Sequence, residues 1–527
     1  MSRIAIRSFA DIRAALLARE EVALLDVREE APFAEGHPLF AANIPLSRLD
    51  IEVYARVPRR TAPVTVYDDG EGLAERAAER LLALGYSDVA LLEGGLAGWR
   101  AAGGELFIDV NVPSKSFGEL VEAERHTPSL AAEEVKALLD EKADVVVLDA
   151  RRFDEYQTMS IPGGTSVPGA ELVLRVRELA PNSRTQVIVN CAGRTRSIIG
   201  TQSLVNAGIP NPVAALRNGT IGWTLAGQRL EHGQSRRFPE VSAENRAIAA
   251  QSARAVADKA GVGRAALADL ARWREEAGRT TYLFDVRTPE EYEAGHLPGA
   301  RSTPGGQLVQ ETDHFASVRG ARIVLADDDD VRANMSASWL AQMGWEVHVL
   351  DGLDAADLTE RGGWSAPVPP APQAEEIAPE TLQAWLAEGD TLVLDFTTSA
   401  NYVKRHIPGA WWALRAQLPQ ALEKLPPAAR YVVTCGSSLL ARYAVDELHA
   451  LTGKPVFVLA GGSASWIAAG LPLEEGETAL AVPRSDRYRR PYEGTDNPRE
   501  AMQAYLDWEF GLVEQLGRDG THSFFVI

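Results

Sequence analysis

Short apolar runs alternate with polar, helix-like segments along this chain of 527 residues. An apolar run that ends in aspartate occurs four times, in "ALLDVREEAPF", "VVLDARRFDEY", "LFDVRTPEEY" and "LVLDFTTSANY". After each come a polar stretch, a proline turn, a second apolar run, a helical stretch and a third apolar run leading into glycine. Strand-like runs that alternate with helix-like segments predict a parallel or mostly parallel sheet covered by helices.

Four copies of this pattern divide the chain into four α/β units. The units span 1–105, 126–232, 262–364 and 376–474. The tail, 480–527, matches none of them. Its segment "TDNPREAMQAYLDWEFGLVEQLG" predicts one helix, with Asn497 as N-cap, Pro498 in the first turn and Gly517 at the end.

Composition narrows the class of protein. Hydrophobic residues make up 46% and charged residues 24%, as in ordinary globular proteins, and no apolar run is long enough to span a membrane. The net charge of −20 argues against nucleic-acid and anionic-membrane partners. The N-terminus does not resemble a signal peptide, and two cysteines cannot form a disulfide framework, so we expect a cytoplasmic protein. The nine histidines are scattered, and we expect no metal or other cofactor.

Alignment of the four second strands brings four residues into register, namely Asp68, Cys191, Asp327 and Cys435. Each stands where a parallel strand gives way to a loop and then to a helix, which is where ligands bind in open α/β sheets. Such a loop presents backbone N–H groups that cradle an anion and favour a thiolate. With Arg194 and Arg196 nearby, we expect Cys191 to be a thiolate at neutral pH.

The "LLDVR", "HLPGA" and glycine-tryptophan segments, together with the loops "CAGRTRS" and "CGSSLLA", resemble the rhodanese family. The resemblance covers all four units. It implies four three-layer rhodanese-like domains in two tandem pairs, the first with the second and the third with the fourth. Each pair would combine a cysteine-free scaffold unit with a cysteine unit. The implied activity is that of a sulfurtransferase of the thiosulfate sulfurtransferase type, which carries sulfane sulfur as a cysteine persulfide.

The resemblance also implies roles for individual residues. Cys191 is the expected nucleophile, and Cys435 is a second candidate, although its apolar loop also fits a vestigial site. Asp149 and Arg151 are expected to brace the loop. The expected substrate-binding residues are Ala192, Gly193, Arg194, Thr195, Arg196, Ser197, Gly436, Ser437 and Ser438. The donor would be thiosulfate or 3-mercaptopyruvate, and the acceptor cyanide, a thiol or a protein.

Two other classes of protein share some of these sequence features. Cysteine phosphatases place an arginine six residues after the cysteine, where this chain has Ser197 and Ala441. Four repeats, two of them without cysteine, also fit a non-catalytic persulfide relay or a regulatory scaffold that binds a protein partner. The tail, with Trp508 and Phe510, would then dock the partner, or it would pack on a neighbouring unit. The oligomeric state stays open.

Overall fold

The computed structural model describes residues 4–527, which form four parallel sheets of five strands each. In the first domain the strands are β1 (Ala5–Arg7), β2 (Ala23–Asp26), β3 (Ala42–Asn43), β4 (Val64–Tyr67) and β5 (Val89–Leu92). In the second they are β6 (Ser129–Leu130), β7 (Val145–Asp149), β8 (Thr165–Ser166), β9 (Gln186–Asn190) and β10 (Val213–Leu216). In the third they are β11 (Gly263–Ala265), β12 (Thr281–Asp285), β13 (Arg301–Ser302), β14 (Arg322–Ala326) and β15 (Glu346–Leu350). In the fourth they are β16 (Glu376–Ile377), β17 (Thr391–Asp395), β18 (Trp411–Trp412), β19 (Arg430–Thr434) and β20 (Val456–Leu459).

Helices connect these strands and cover both faces of each sheet. The first domain contains α1 (Phe9–Leu17), α2 (Glu30–Glu35), α3 (Leu49–Arg56), α4 (Leu73–Ala83) and α5 (Gly95–Ala101), and α6 (Val112–Arg125) follows it. The second contains α7 (Ala132–Asp140), α8 (Phe153–Thr158), α9 (Leu172–Leu179), α10 (Thr195–Asn206) and α11 (Gly219–Leu225), and α12 (Ala243–Lys259) follows it. The third contains α13 (Leu267–Arg274), α14 (Pro289–Ala294), α15 (Gly305–Gln310), α16 (Thr312–Phe315) and α17 (Arg332–Gln342). The fourth contains α18 (Pro379–Glu388), α19 (Ser399–Lys404), α20 (Leu418–Leu422), α21 (Leu439–Arg442), α22 (Val445–Thr452) and α23 (Gly462–Ala468). Within residues 4–527 no helix is long and apolar enough to cross a membrane.

All four sheets share one topology. Numbered within a domain, the strands lie in the order first, fifth, fourth, second, third, and every pair is parallel. The central strands carry the apolar runs, and all residues of β2 and β4 are buried because helices cover both faces. The predicted α/β architecture is therefore confirmed. In every domain the fourth strand is central, so its carboxyl end opens between the two helix layers.

The tail differs from its prediction, because it forms two helices, α24 (Arg499–Phe510) and α25 (Leu512–Asp519). The helix is interrupted at Gly511, because glycine has a low helix propensity. This break lets Leu512 and Leu516 enter the core of the first domain. The helix begins after Pro498, and Asn497 donates its side-chain hydrogen bond to the Glu493 carbonyl instead of capping. Gly517 lies inside α25 rather than at its end.

The contacts between domains also differ from the expected pairing of neighbours in sequence. The turn Leu46–Arg48 of the first domain meets its counterpart Arg415–Gln417 in the fourth. The Ala416 N–H donates to Ser47 Oγ across that interface (3.1 Å). The equivalent surfaces of the second and third domains meet where Gly169 faces Gly306 so closely that a Cβ on Gly306 would lie 3.0 Å from the Gly169 nitrogen. The first domain therefore packs against the fourth, and the second against the third, through equivalent surfaces.

Candidate active site

The loop that carries Cys191 joins β9 to α10 at the centre of the second sheet. Cys191 is buried, with 2% of its surface exposed. Its carbonyl accepts from the Thr220 N–H (2.9 Å), and the Ala192 carbonyl accepts from the Ile221 N–H (3.0 Å). The start of α11 comes so close that a Cβ on Gly219, at φ +54°, would lie 2.3 Å from the Cys191 oxygen. Glycine is therefore required at this position to hold the loop in place.

Ser197 and Arg196 are the polar groups that act on the thiol. Cys191 Sγ donates to Ser197 Oγ (3.3 Å), which in turn donates to the Arg194 carbonyl (2.8 Å). Burial raises the pKa of Cys191, while the charge of Arg196 and hydrogen bonds from Ser197 oppose the rise. Burial therefore opposes the thiolate expected at neutral pH, because desolvation raises the thiol pKa by more than Arg196 and Ser197 lower it.

Asp149 and Arg151 lie beneath this loop. Arg151 donates from Nε and Nη2 to the two Asp149 oxygens (2.9 and 2.7 Å), and Nη2 also donates to the Met159 carbonyl (2.5 Å). Asn190, which immediately precedes Cys191, donates to Asp149 Oδ2 (3.1 Å). The pair thus contacts the side chain of the residue just before the cysteine, a position from which it can brace the loop.

Arg194 was expected to hold the donor, but its guanidinium faces away from solvent and is 4% exposed. It donates to both Glu119 oxygens (2.7 and 2.9 Å), to Glu122 and to Asn218 Oδ1 (3.1 Å). Phe510 of the tail covers it, with its ring centroid 4.3 Å from the guanidinium carbon. With its charge neutralised by α6, Arg194 holds the loop to that helix and is not open to a donor.

Arg196 is the loop cation that reaches a cavity. It forms a bidentate ion pair with Glu155 of α8 (2.8 and 2.9 Å). It also lines a polar cavity of about 400 Å³ to which the tail contributes arginines that were not singled out from the sequence. The charged residues around this cavity are Arg151, Arg152, Asp154, Glu155, Arg196, Glu311, Arg487, Arg490 and Glu493. The cavity thus offers both signs of charge beside the cysteine loop.

The remaining loop residues contact protein. Ala192 is buried, and Thr195 packs on Gly118 of α6, where a Cβ would lie 3.0 Å from Thr195 Cγ2. Gly193 faces the tail, because a Cβ there would lie 3.0 Å from Tyr505 Cε1 and 3.4 Å from Glu509 Oε2. The tail helix α24 therefore covers the cysteine loop of the second domain.

The two cysteine-free domains show what the loop can hold. The Asp68 carboxylate accepts backbone N–H groups of Gly70, Leu73 and Ala74 (3.1, 2.6 and 3.1 Å). The Asp327 carboxylate accepts those of Asp330 and Ala333 (3.3 and 2.8 Å). At the repeat position where Cys191 stands, the loop N–H groups thus point at the oxygen atoms of a carboxyl group.

Cys435 directly follows β19 of the fourth domain and is 7% exposed. Gly436 and Ser437 are exposed, whereas Ser438 is buried and donates to the Leu459 carbonyl (2.7 Å), so its hydroxyl is engaged by protein. Asp395 lacks the arginine partner of its counterparts because Thr397 stands at that place, and burial raises the pKa of Asp395 to about 7. The Cys435 loop therefore has neither an aspartate–arginine pair beneath it nor an arginine at the position equivalent to Arg196.

A second cavity, of about 150 Å³, lies between the first and fourth domains. Leu440, on the helix that follows Cys435, contributes to its lining. The first domain contributes arginines, among them Arg48, which donates from Nε to Glu52 (2.6 Å). A cation is therefore supplied to this region by another domain, which the order of residues along the chain could not reveal.

Comparison with known proteins agrees with this geometry. The sequence profile of the rhodanese-like domain matches residues 10–102, 131–226, 266–352 and 378–469. The chain therefore belongs to the rhodanese family. Over 99% of its length it is similar to the crystal structure of a thiosulfate sulfurtransferase from Pseudomonas aeruginosa, with 78% identity, a TM-score of 0.99 and all of that chain covered. The expected family and the expected rhodanese-type transferase class are confirmed.

Other similar proteins match single stretches. The Alr3790 protein from Anabaena sp. is 26% identical over 20% of this chain and 84% of its own, with a TM-score of 0.19. A 68-residue segment is 46% identical to the HTH-type transcriptional regulator Rv0324 of Mycobacterium tuberculosis. The matched segment makes up 12% of this chain and 29% of the regulator's length.

Proposed function

We propose that this protein is a sulfurtransferase that moves sulfane sulfur through a persulfide on Cys191. The donor is a small anion of the thiosulfate or 3-mercaptopyruvate type, and the acceptor is a thiophile such as a thiol or cyanide. The observation that carries the proposal is that loop N–H groups donate to the carboxyl oxygens of Asp68 and Asp327. Cys191 stands at the same place, so the same N–H groups suit the anionic outer sulfur of a persulfide.

The reaction proceeds in two halves. With thiosulfate, Cys191 Sγ forms a bond to the outer donor sulfur, and the bond from that sulfur to the sulfite sulfur breaks. Sulfite leaves with the bonding electron pair and takes up the thiol proton. In the second half, the acceptor bonds to the outer sulfur, and the Cys191 sulfur departs with its electron pair. Arg196 stabilises the anions that pass beside it.

The test is initial-rate kinetics with thiosulfate and cyanide varied together. A persulfide intermediate predicts parallel double-reciprocal lines, because the first product leaves before the second substrate reacts. Intersecting lines would contradict the two-step scheme. An absence of turnover with thiosulfate and with 3-mercaptopyruvate would overturn the enzyme proposal and favour a protein-fed relay or scaffold.

Cys435 is the second candidate nucleophile, and its loop contains neither of the groups that act on Cys191. We expect Cys435→Ser to leave the kcat/KM for thiosulfate within about twofold of the wild-type value, as for substitutions outside the reacting centre. The same variant measured with 3-mercaptopyruvate tests a second site. A loss confined to that donor would assign Cys435 to it, and a large loss with thiosulfate would contradict the prediction.

Arg196→Gln is expected to slow alkylation of Cys191 at pH 7. Arg196 lowers the thiol pKa, so removing its charge raises that pKa and decreases the reactive thiolate fraction, by about tenfold per pKa unit. The measurement is the iodoacetamide rate against pH in a Cys435→Ser background. Arg152→Gln is the matched control, because Arg152 lines the same cavity and pairs with Asp154 at the surface. Equal rates in both variants would contradict the role of Arg196.

A further inference from the structure

The tail helix α24 brings a buried carboxyl group to the Cys191 loop. Glu509 is 0% exposed, and its Oε1 accepts a hydrogen bond from Tyr505 Oη (2.8 Å). Its Oε2 is buried and has no hydrogen-bond partner within residues 4–527. An unpaired buried carboxyl oxygen destabilises the fold, so its presence calls for a role other than packing.

The unpaired oxygen faces the loop itself. A Cβ on Gly193 would lie 3.4 Å from Glu509 Oε2, and Gly193 is two residues from the nucleophile. An ionised Glu509 would raise the pKa of the Cys191 thiol, so the two groups lie within electrostatic reach of each other. The absence of a side chain at Gly193 leaves room for this approach, because any other residue there would press against Tyr505 and Glu509.

Burial keeps Glu509 neutral although two cations lie near it. Lys115 and Glu119 approach from α6, Arg194 from the loop and Tyr505 from its own helix. Lys115 is engaged by Asp109 (2.7 Å) and Arg194 by Glu119 (2.7 Å), so both cations are already paired. Burial, followed by the nearby Glu119, raises the pKa of Glu509 to about 8. Because Oε1 accepts from Tyr505, Oε2 is the oxygen left to carry the acidic proton.

We propose that Glu509 is a catalytic residue that donates a hydrogen bond from Oε2 to the outer sulfur of the Cys191 persulfide. The inference rests on the proposed function and extends it to a residue outside the four domains. Glu509 keeps its proton throughout, while the thiol proton leaves with sulfite as described above. A carboxylic acid held neutral in an apolar site is a strong donor to a developing anion.

The experiment compares the wild type with Glu509→Gln, which keeps a donor and cannot ionise, and with Glu509→Leu, which has no donor. Glu514→Gln is the matched control, because Glu514 lies on α25, is exposed and pairs with Arg518 at the surface. Each protein is loaded with thiosulfate, and separately with 3-mercaptopyruvate, in a single turnover between pH 6 and pH 9.5. Persulfide on Cys191 is quantified by mass. The readout is the ratio of wild-type to variant rate at each pH, which cancels ionisation of the donor.

At pH 7 we expect Glu509→Gln within about threefold of the wild type and Glu509→Leu slower by about tenfold or more. The ratio of wild type to Glu509→Gln should fall through a transition near pH 8, where Glu509 of the wild type ionises, loses its donor and adds a negative charge. The ratio for Glu514→Gln should stay constant. A flat ratio for Glu509→Gln would overturn the inference, since a packing role predicts no such transition.

A second measurement uses the wild type alone and so does not depend on the folding of a variant. The infrared difference spectrum on loading should show a shifted band of a protonated carboxyl at pH 7 that is lost above pH 8. Its absence at pH 7 would overturn the inference. If the wild type forms no persulfide with either donor, the proposed function fails instead, and the two failures are thus distinguishable.

Discussion

Cys191→Ser is expected to lower kcat/KM for thiosulfate by at least about a thousandfold, the scale of loss when a covalent nucleophile is removed. Serine preserves the size of the side chain and the hydrogen bond to Ser197, so the loop should keep its shape. A hydroxyl forms no persulfide, which leaves the loop N–H groups without the sulfur they stabilise. The measurement is steady-state turnover with thiosulfate and cyanide.

Cys435→Ser serves as the control for this loss, since it removes the other thiol of the chain. An unaltered melting temperature of Cys191→Ser would show that the loss is chemical rather than structural. Retention of more than about a tenth of the wild-type rate would contradict the assignment of Cys191, because no other group near the loop can carry sulfur covalently.

Arg332→Met is expected to destabilise the paired second and third domains by about 3–5 kcal/mol, a fall of roughly 10 °C in Tm. Arg332, on α17, is 1% exposed and donates to four carboxylates. They are Glu171 (2.9 Å), Glu291 (2.5 and 2.9 Å), Asp328 (3.2 Å) and Asp329 (2.5 Å). Glu171 belongs to the second domain, so methionine would remove the ion pair that joins the two domains and would leave the buried Asp329 carboxylate without its cation.

Scanning calorimetry provides the measurement for Arg332→Met. Arg518→Met is the matched control, because Arg518 is half exposed and pairs with Glu105 and Glu514 at the surface. An exposed pair contributes about 1 kcal/mol or less, so this control should melt close to the wild type. Equal melting curves for the two variants would contradict the importance of the buried network.

The fold could be predicted from the sequence because its strands are buried on both faces and so appear as uninterrupted apolar runs. The aspartate at the end of each second strand repeats because it accepts hydrogen bonds from local groups such as the Arg151 side chain and N–H. The tail could not be predicted in the same way. Its break at Gly511 depends on burial of Leu512 and Leu516 in a domain more than four hundred residues earlier along the chain.

In the candidate site, contacts between residues close in sequence could be predicted, and contacts between distant segments could not. Cys191, Arg196 and Ser197 lie within one loop, so their proximity follows from the chain. The role of Arg194 could not be predicted because its carboxylate partners come from α6, outside the repeated units. The spacing of Glu119 and Glu122 places them on one helix face, but it does not say what that face contacts. The position of Glu509 beside the loop depends on how the tail packs. The pKa of Cys191 depends on how deeply the thiol is buried.

The most direct test of the account is the mass of wild-type protein after incubation with thiosulfate and removal of excess donor. A persulfide on Cys191 predicts a gain of one sulfur atom, located by peptide mapping on the fragment that contains Cys191, and its loss on addition of cyanide. No added sulfur, or sulfur found only on Cys435, would contradict the central claim that Cys191 carries the transferred sulfur.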